Sequence, residues 1–226
     1  MKKWNELPKV MQNDKVKYYY DILQEHEKEL KLKRAFDIIC SLIMIIILSP
    51  VLIILSVMIK LDSKGPVLFK QVRVTTYGRK FKIWKFRTMV NNADKLGTQV
   101  TTKGDARITR MGHLLRKVRL DELPQLFNVL KGDMTFVGTR PEVPKYTAHY
   151  TEEMMATFLL PAGVTSRTSI EYKDEEKLLE NAENADEVYI NEVLPDKMVY
   201  NLREIEKFSF LRDISTMIKT VIAVIK

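Results

Sequence analysis

The sequence predicts an α+β protein that is mostly helical and carries one small β-hairpin. Three observations support this class. Residues 35–59 form an apolar run long enough for a membrane helix. Two β-rich runs, PVLFKQVRV and KFKIWKFRT, flank a turn at Tyr77-Gly78. The last stretch, FSFLRDISTMIKTVIAVIK, repeats apolar residues at helical spacing, which predicts an amphipathic helix at the carboxyl-terminal end.

The composition excludes several classes of protein. With 226 residues, of which 46% are apolar, the chain can bury a core. The single cysteine, Cys40, excludes an intrachain disulfide framework and a cysteine-based zinc cluster. The net charge of +8 at pH 7 favours a partner that carries phosphates, such as a nucleic acid, an anionic membrane or a nucleotide.

The apolar run at 35–59 contains one charged residue, Asp37. As a helix it would measure ~37 Å, which exceeds the ~30 Å hydrocarbon layer of a membrane. Pro50, preceded by Ser49, divides it into two arms, each too short to cross. Lysine or arginine residues flank both ends of the run, and such residues mark the cytoplasmic side. The pattern is compatible with a re-entrant helix broken at Ser49-Pro50 and with a kinked helix that spans the membrane once.

Charge divides the rest of the chain. Residues 60–119 contain 16 Lys/Arg and three Asp, a net charge of +13, whereas residues 171–206 have a net charge of −8. The basic half is expected to contact anionic headgroups or a phosphate-bearing substrate, although a solvated basic surface would have the same composition. We therefore divide the chain into a polar helical extension at 1–34, the membrane helix at 35–59 and a cytoplasmic domain at 60–226.

An adjacent pair of carboxylates, Asp121 and Glu122, lies in the stretch DELPQLFNVLKG. Because Pro124 fits only in a first turn, this stretch predicts a helix that begins near Asp121 and is capped by Gly132. A helix N-terminus stabilises anions, so Asp121 can serve as a nucleophile beside a phosphate. The adjacent Glu122 carboxylate is a potential ligand of Mg²⁺, which also binds the phosphate oxygens of a substrate. The simpler interpretation is a helix capped by Asp with a Glu on the surface.

Basic residues near this pair are candidate ligands for substrate phosphates. Lys85 and Arg87 alternate with aromatic residues along the second β-rich run, so both are expected on one side of the strand. Their alternative role is contact with the membrane surface. Arg116 lies about one turn before the carboxylates, and Arg140, in the stretch GTRP, can present its planar guanidinium to a phosphate.

The carboxyl-terminal helix has a broad apolar face whose partner the sequence leaves open. Such a face packs more often into a protein core than against a membrane. Beside a membrane segment, the alternative is a helix that lies in the membrane interface.

Long strings of the sequence are similar to one protein family. These strings are KRAFDIICSLIMIIILSPVLIILSVMIKLDSKGPVLFKQ, GRKFKIWKFRTM and DARITRMGHLLRKVRLDELPQLFNVLKGDMTFVGTRPEVPKY. They resemble the bacterial sugar transferases, monotopic phosphoglycosyl transferases that begin lipid-linked glycan assembly, and the resemblance covers about residues 31–226. It implies transfer of a sugar-1-phosphate from a UDP-sugar to polyprenyl (undecaprenyl) phosphate, with release of UMP.

The resemblance also implies roles for particular residues. Asp121 and Glu122 would form the catalytic pair, with Mg²⁺ held at Glu122, and the re-entrant form of the membrane helix becomes the favoured one. We expect Asp121 to form a phosphosugar intermediate, because the soluble donor and the membrane-held acceptor then use one small site in turn. The expected location is the cytoplasmic face of the bacterial inner membrane. No nucleic-acid partner is expected, and a homodimer stays open.

The sequence departs from the family pattern in two places. Thr139 replaces the first proline of the usual GPRP, and the loop at 167–175 differs from the common W/L-x-Q-x-N-G-R stretch. Nucleotide or sugar contacts by Arg167 and Lys173 are therefore an open prediction, and neither the sugar nor the glycan pathway follows from the sequence. The rival function is a non-catalytic membrane adaptor that binds anionic lipid or another polyanion through its basic region.

Overall fold

The computed structural model describes residues 1–93, 105–171 and 184–225. Within these ranges the α-helices are α1 (Asp14–Glu25), α2 (Glu27–Asp62), α3 (Arg110–Lys117), α4 (Gln125–Lys131), α5 (Pro144–Thr147), α6 (Arg167–Glu171), α7 (Ala185–Val188), α8 (Leu194–Glu206) and α9 (Phe210–Ile225). A π-helical turn at Tyr189–Val193 joins α7 to α8. The structure confirms a mostly helical protein with a small antiparallel sheet.

The predicted β-hairpin is present. Strands β1 (Leu68–Val74) and β2 (Lys80–Phe86) pair antiparallel, with Leu68 opposite Phe86. The turn between them contains Tyr77 at φ 58° and Gly78 at φ 73°. A left-handed backbone is easy for glycine and costly for most other residues, which is why the turn falls at a glycine.

A second sheet was missed by the sequence analysis. Strands β3 (Met134–Val137) and β4 (Ala162–Thr165) pair in parallel. Each strand has only four residues, too few to show an alternating pattern against the surrounding loops. Together with β2 and α4 they enclose a small apolar cluster of Phe81, Ile83, Val129, Met134 and Ala162.

The helix α2 is 36 residues long and continues through Pro50. The Ser49 hydroxyl donates to the Ile46 carbonyl at 2.8 Å. The expected break is therefore not visible as an interruption of the helix. By length and composition α2 could cross a membrane, since its most apolar 18-residue window has a mean hydropathy of 3.1.

The domain holds α2 near both ends of its apolar part. Toward the amino-terminal end, Asp37 accepts hydrogen bonds from the Thr135 hydroxyl at 2.7 Å and the Phe136 amide at 3.2 Å. Toward the carboxyl-terminal end, Leu55 and Ile59 are buried in a cluster with Phe86 and Leu115. Many of the apolar residues between these two attachments are exposed, among them Ile46, Ile47, Ile53 and Ile54.

The first 25 residues pack into the main hydrophobic core. Asn13 caps α1 by accepting a hydrogen bond from the Val16 amide at 3.0 Å. Val16 and Leu23 are fully buried on the inner face of α1. Their cluster includes Leu194 and Met198 of α8, so this segment covers part of the core of the domain.

The predicted helix at 121–132 begins later than expected and ends where expected. The chain forms a 3₁₀ turn at Leu120–Glu122, and α4 begins only after Pro124. Proline lacks the amide hydrogen that an α-helical ladder needs at that position. Gly132 ends α4 at φ 84°, as predicted.

The carboxyl-terminal helix α9 does not bury its apolar residues as the favoured interpretation expected. Thr216 is buried, and the Thr220 hydroxyl contacts the Thr165 hydroxyl of β4 at 2.8 Å. The exposed apolar side chains are Leu211, Ile218, Val221 and Ile222. The polar side of α9 faces the domain and forms hydrogen bonds with it. Much of the apolar side therefore faces away from the domain.

Candidate active site

Glu122 accepts hydrogen bonds from two cationic side chains at the same carboxylate oxygen. Lys85 Nζ donates to Glu122 Oε1 at 2.7 Å, and Arg140 Nη2 donates to the same oxygen at 2.8 Å. The Glu122 side chain is 13% exposed. The fold thus brings together three residues that the sequence analysis selected from distant parts of the chain.

The strand β2 explains why Lys85 reaches this position. Side chains two residues apart share a face of a strand, so Phe81, Ile83 and Lys85 point the same way. Phe81 and Ile83 are buried against Val129 of α4. Lys85 continues this face toward Glu122. Burial lowers the pKa of the Lys85 amine, and the negative charge of Glu122 opposes that shift.

Arg140 lies on a strap, residues 138–142, that follows β3. On one side the strap pairs with β4, where the Gly163 amide donates to the Thr139 carbonyl at 2.8 Å. A Cβ atom at Gly163 would lie 2.2 Å from the Gly138 carbonyl oxygen. Only glycine permits this close approach, so Gly163 is needed to seat the strap.

The other side of the strap is held by β1. Arg73 Nη1 donates to the Pro141 carbonyl at 2.9 Å, and the Val74 amide donates to the Glu142 carbonyl at 3.0 Å. The backbone on either side of Arg140 is therefore fixed. With its backbone held in this way, Arg140 directs its guanidinium toward Glu122.

Asp121 lies directly beside this cluster in a different electrostatic state. It is 8% exposed, and burial raises its pKa despite the opposing charge of Lys85. Burial would also raise the pKa of Glu122, but the charges of Arg140 and Lys85 outweigh it and hold that pKa well below its usual range. Within the described part of the chain, no hydrogen bond is donated to the Asp121 carboxylate. Its oxygens are available to a substrate.

The backbone turns sharply just before Asp121. Arg119 has a left-handed conformation at φ 55°, and the 3₁₀ turn follows at once. Such a conformation is uncommon for a residue other than glycine and is held by its surroundings. Arg116, on α3, donates from Nε to the Thr88 hydroxyl at 2.9 Å, and its charge opposes part of the rise in the pKa of Asp121 that burial causes. Arg116 therefore lies close enough to act on the same anion.

Arg87 does not join the Glu122 cluster, and its predicted contact with a substrate phosphate stays a prediction. The strand ends at Phe86, and Arg87 turns to the carboxyl-terminal end of α2. Its guanidinium donates to the carbonyls of Ser63 at 2.6 Å and Lys64 at 2.7 Å. It is 4% exposed, so the contacts cap the long helix. They do not support phosphate binding by Arg87, and Lys85 and Arg87 do not share a target.

Arg167 lies away from Glu122. Arg167 lines a separate cavity beside Glu204. Lys173 lies outside the described residues. Sequence reasoning missed Thr88, which orients Arg116, and Arg73, which anchors the strap. Thr88 directly follows the basic run KFR, so its position in KFRTM was the available signal.

The carboxylate pair suits a magnesium ion that arrives with its substrate. Among the described residues, no group of three or more His, Cys, Asp or Glu side chains could hold a metal. Asp121 and Glu122 offer two adjacent carboxylates, although Glu122 Oε1 is already bonded to two cations. Mg²⁺ often takes one or two carboxylates and completes its shell with phosphates and water. The residues fit that use of the metal better than a preformed metal centre.

The fold is a mostly helical α+β domain with one helix apolar enough for a membrane, and its polar site suits an anionic substrate. The chain belongs to the bacterial sugar transferase family, whose sequence profile matches residues 28–226. The match begins just after α1, so α1 and the residues before it lie outside the part that defines the family.

Of three similar proteins, two are sugar-phosphate transferases by name, and the third is named a sugar transferase. One is the UDP-N-acetylgalactosamine-undecaprenyl-phosphate N-acetylgalactosaminephosphotransferase of Aeromonas hydrophila, 36% identical over 84% of this chain and 43% of its own length. Another is the UDP-glucose:undecaprenyl-phosphate glucose-1-phosphate transferase of Escherichia coli, 36% identical over 84% of this chain and 39% of its own length. A sugar transferase of Bacillus subtilis is 37% identical over 62% of this chain and 68% of its own length. The chain thus spans less than half the length of the first two relatives.

Proposed function

We propose that this protein transfers a sugar-1-phosphate from a UDP-sugar to polyprenyl phosphate at the cytoplasmic face of the membrane and releases UMP. The observation that carries the proposal is the position of Asp121 beside the Lys85–Glu122–Arg140 cluster. A buried carboxylate, to which no residue in the described ranges donates a hydrogen bond, lies next to fixed cations that can attract a diphosphate.

The first chemical step uses Asp121 as the nucleophile. A carboxylate oxygen of Asp121 attacks the phosphorus that carries the sugar, and the bond from that phosphorus to the UMP oxygen breaks. UMP leaves with the electron pair of that bond. The product on the protein is an acyl phosphate that joins Asp121 to the sugar-phosphate.

In the second step a phosphate oxygen of polyprenyl phosphate attacks the same phosphorus. The bond to Asp121 breaks, which regenerates the carboxylate and yields a polyprenyl diphosphate sugar. Splitting the transfer avoids forcing two anionic phosphates into one small site at the same time.

Glu122 and its two cations serve this chemistry without changing their own bonding. Lys85 and Arg140 hold Glu122 in place, and their exposed parts present positive charge toward an incoming phosphate. Arg116 adds a third cation near Asp121. Mg²⁺, held by Glu122 together with Asp121, would supply further charge neutralisation on the diphosphate when bound.

The attachments of α2 support a helix that enters and leaves the membrane on one face. Asp37 is bonded to Thr135, and Ile59 packs on Leu115. Thr135 and Leu115 belong to the same folded domain. Within it, the Asn128 side chain of α4 accepts a hydrogen bond from the Trp84 amide of β2 at 3.0 Å. A helix that crossed the bilayer would separate the two attachments by ~30 Å of hydrocarbon. We therefore favour the re-entrant form, with Ser49-Pro50 at its deepest part.

The outward apolar side of α9 supports the same placement. Leu211 is 77% exposed, and Ile218, Val221 and Ile222 are exposed further along the helix. An interfacial helix buries such a face at the boundary of headgroups and acyl chains. We propose that α9 lies in that interface.

Cysteine labelling tests the topology. Cys40 is replaced by Ser, and single cysteines are introduced as Glu25→Cys and Lys64→Cys, both at exposed positions. Gly65 is unsuitable, because a Cβ atom there would lie 2.0 Å from Arg87 Nη1. Both cysteines should react only after the cytoplasmic side is opened. Labelling of the two positions from opposite sides would eliminate the re-entrant helix.

Turnover tests the reaction and separates it from the adaptor alternative. Purified protein is mixed with Mg²⁺, polyprenyl phosphate and one of a panel of UDP-sugars, and UMP is measured. The panel is needed because relatives named for N-acetylgalactosamine and for glucose are equally identical to this chain, at 36%. An adaptor would bind anionic lipid and release no UMP with any donor.

A further inference from the structure

A basic cavity lies apart from the carboxylate pair. It has a volume of about 50 Å³ and is bordered by the start of α2, the end of β3, α8 and α9. Its charged lining consists of Lys33, Arg167, Glu204, Lys207, Arg212 and Asp213. Four cations against two carboxylates leave an excess of positive charge. None of Lys85, Asp121, Glu122 or Arg140 lines it.

Two guanidinium groups of this basic cavity have an unused donor. Arg212 Nη2 donates to Glu204 Oε1 at 3.0 Å, whereas Arg167 Nε lies 3.6 Å from Glu204 Oε2, beyond hydrogen-bond distance. The Nε atoms of both arginines are buried and have no acceptor within the described part of the chain. Buried donors are nearly always bonded, so an acceptor from outside the described residues is expected here.

The size of the basic cavity limits what this acceptor can be. A water molecule needs ~10–15 Å³ of such space, so a cavity of about 50 Å³ admits a small group of several atoms. Sites for whole ligands such as a nucleotide measure ~300–1,000 Å³. Positive charge, unused arginine donors and small volume together describe a single phosphate group.

With α2 inserted in the membrane as proposed above, the basic cavity would lie at the depth of lipid headgroups. Lys33 precedes Ile38, where the exposed apolar part of the membrane run begins, by five residues. That separation is ~7.5 Å along a helix axis, and the headgroup layer on each side of a bilayer is ~5–7 Å thick. Arg212 is in the first turn of α9, directly after the exposed Leu211. A headgroup phosphate can therefore reach the cavity while its acyl chains stay beside α2 and α9.

We propose that this basic cavity binds the phosphate of an anionic membrane phospholipid, with Arg167 and Arg212 as its donors. The proposal rests on the proposed function in one respect, because it places this face of the domain on a membrane. The bound lipid is a lasting contact that orients the domain, and it is distinct from the polyprenyl phosphate consumed at Asp121. Arg167 thus binds lipid, and nucleotide or sugar recognition is left to other residues.

Native mass spectrometry of the full chain tests the site. The protein is released from nanodiscs that contain phosphatidylglycerol and phosphatidylcholine in equal amounts, and retained lipid is counted. Arg212→Gln removes one charge and keeps much of the side-chain length. Arg203→Gln, at an exposed position of α8 outside the cavity, is the matched control. We expect wild type and Arg203→Gln to retain phosphatidylglycerol, and Arg212→Gln to lose roughly tenfold in retention, as for one charged hydrogen bond. Equal retention by the two variants overturns the proposal.

Two further measurements keep the outcomes separate. If Arg212→Gln does not fold, Arg167→Gln replaces it, since Arg167 makes no hydrogen bond to Glu204. Inorganic phosphate is added to the protein in detergent, and displacement of phosphatidylglycerol at low millimolar concentration would assign the cavity to a soluble anion instead. UMP release is measured on the same samples. Lipid selectivity without UMP release from any donor counts against the proposed function alone, and UMP release with equal retention counts against the lipid site alone.

Discussion

Two buried glutamates of this protein have the same kinds of charged neighbours, one lysine and one arginine each. The two clusters are Glu122 with Lys85 and Arg140, and Glu142 with Lys197 and Arg73. Burial alone would raise the pKa of each glutamate, but the cations outweigh it and hold both pKa values below the ordinary range. The composition of an ion cluster therefore does not by itself identify a reaction site.

The surroundings distinguish the two clusters. Tyr189 donates from its hydroxyl to Glu142 Oε1 at 2.6 Å, and Lys197 Nζ donates to the same hydroxyl at 2.9 Å. The Lys197 side chain is 8% exposed and the Arg73 side chain is 24% exposed. Around Glu122, the Lys85 and Arg140 side chains are 21% and 36% exposed, and next to it lies a second carboxylate to which no described residue donates a hydrogen bond. The Glu142 cluster is the more enclosed of the two and is joined by the Tyr189 hydroxyl, so we expect it to stabilise the fold, whereas the cluster beside Asp121 can contact an anion.

The largest expected effect is that of Asp121→Asn. This change keeps the shape of the side chain and removes the nucleophile, so turnover should fall on the order of 10⁴-fold or more. Because burial raises the pKa of Asp121, its charge adds little to stability, and the melting temperature should stay close to that of wild type. Steady-state UMP release and thermal unfolding are the measurements.

The control for Asp121→Asn is the same change at Asp133. Asp133 bonds to the half-exposed Arg79 at 2.8 Å, on the far end of α4, and its variant should keep nearly full turnover. Intact-protein mass after incubation with UDP-sugar and Mg²⁺, without lipid, should show a sugar-phosphate adduct on wild type only. UMP release that requires lipid, with sequential kinetics, would rule out the covalent intermediate.

Glu142→Gln should act on stability. It leaves the buried Lys197 and the partly buried Arg73 without their counter-charge, and breaking a buried pair costs ~3–5 kcal/mol. For a chain of this size that corresponds to a decrease of roughly 6–20 °C in melting temperature. Turnover per folded molecule should change only a few-fold, measured well below the transition. A stable variant with abolished turnover would place Glu142 in the reaction and break the comparison.

Glu122→Gln should act on turnover. The neutral amide weakens the hold of Lys85 and Arg140 and removes a carboxylate from the proposed metal site, so turnover should fall roughly 10²–10³-fold. The loss of stability should be smaller than for Glu142→Gln, because water reaches both released cations. Titration with Mg²⁺ should show a higher requirement than in wild type. An unchanged requirement would remove Glu122 from metal binding.

The smallest effect concerns pH. Asp121 must be ionised to attack, and its pKa is raised above the ordinary value of 3.8 by burial, so turnover should rise with pH through that raised pKa. Glu122 and Glu142 have lowered pKa values, so each contributes stability that is fully present above about 4.5 and lost as pH falls through the folded pKa. As the pH is lowered, turnover should therefore be lost at a higher pH than the folded state is. Coincident curves, or an acid limb at or below 3.8, would contradict this assignment.

Several elements of the fold follow from local sequence. The hairpin was predicted from two β-rich runs and a glycine turn, and the structure has it at Leu68–Val74 and Lys80–Phe86. Gly132 was predicted as a helix cap for the same local reason. The pair β3–β4 was not predicted, because strands of four residues are defined by their partner and not by their own pattern.

The residues of the candidate site also divide into those whose position the sequence predicted and those whose position it did not. Asp121, Glu122, Lys85 and Arg140 were selected from spacing and from the similarity of long strings to one family, and the structure brings the last three together at one oxygen. Arg87 was selected for the same reasons and instead caps α2. The sequence shows that a cation is present near a motif, but the direction of its side chain depends on where the strand ends.

By itself the sequence determined the apolar length of α2, the hairpin, the carboxylate pair and the family, since each depends on composition or spacing within one segment. Only the tertiary structure decided that one domain holds both ends of the apolar part of α2, that α9 turns much of its apolar side outward, and that Glu122 and Glu142 have different surroundings. These outcomes depend on contacts between residues far apart in the chain. Such contacts are set by how the whole domain packs, and no local pattern encodes them.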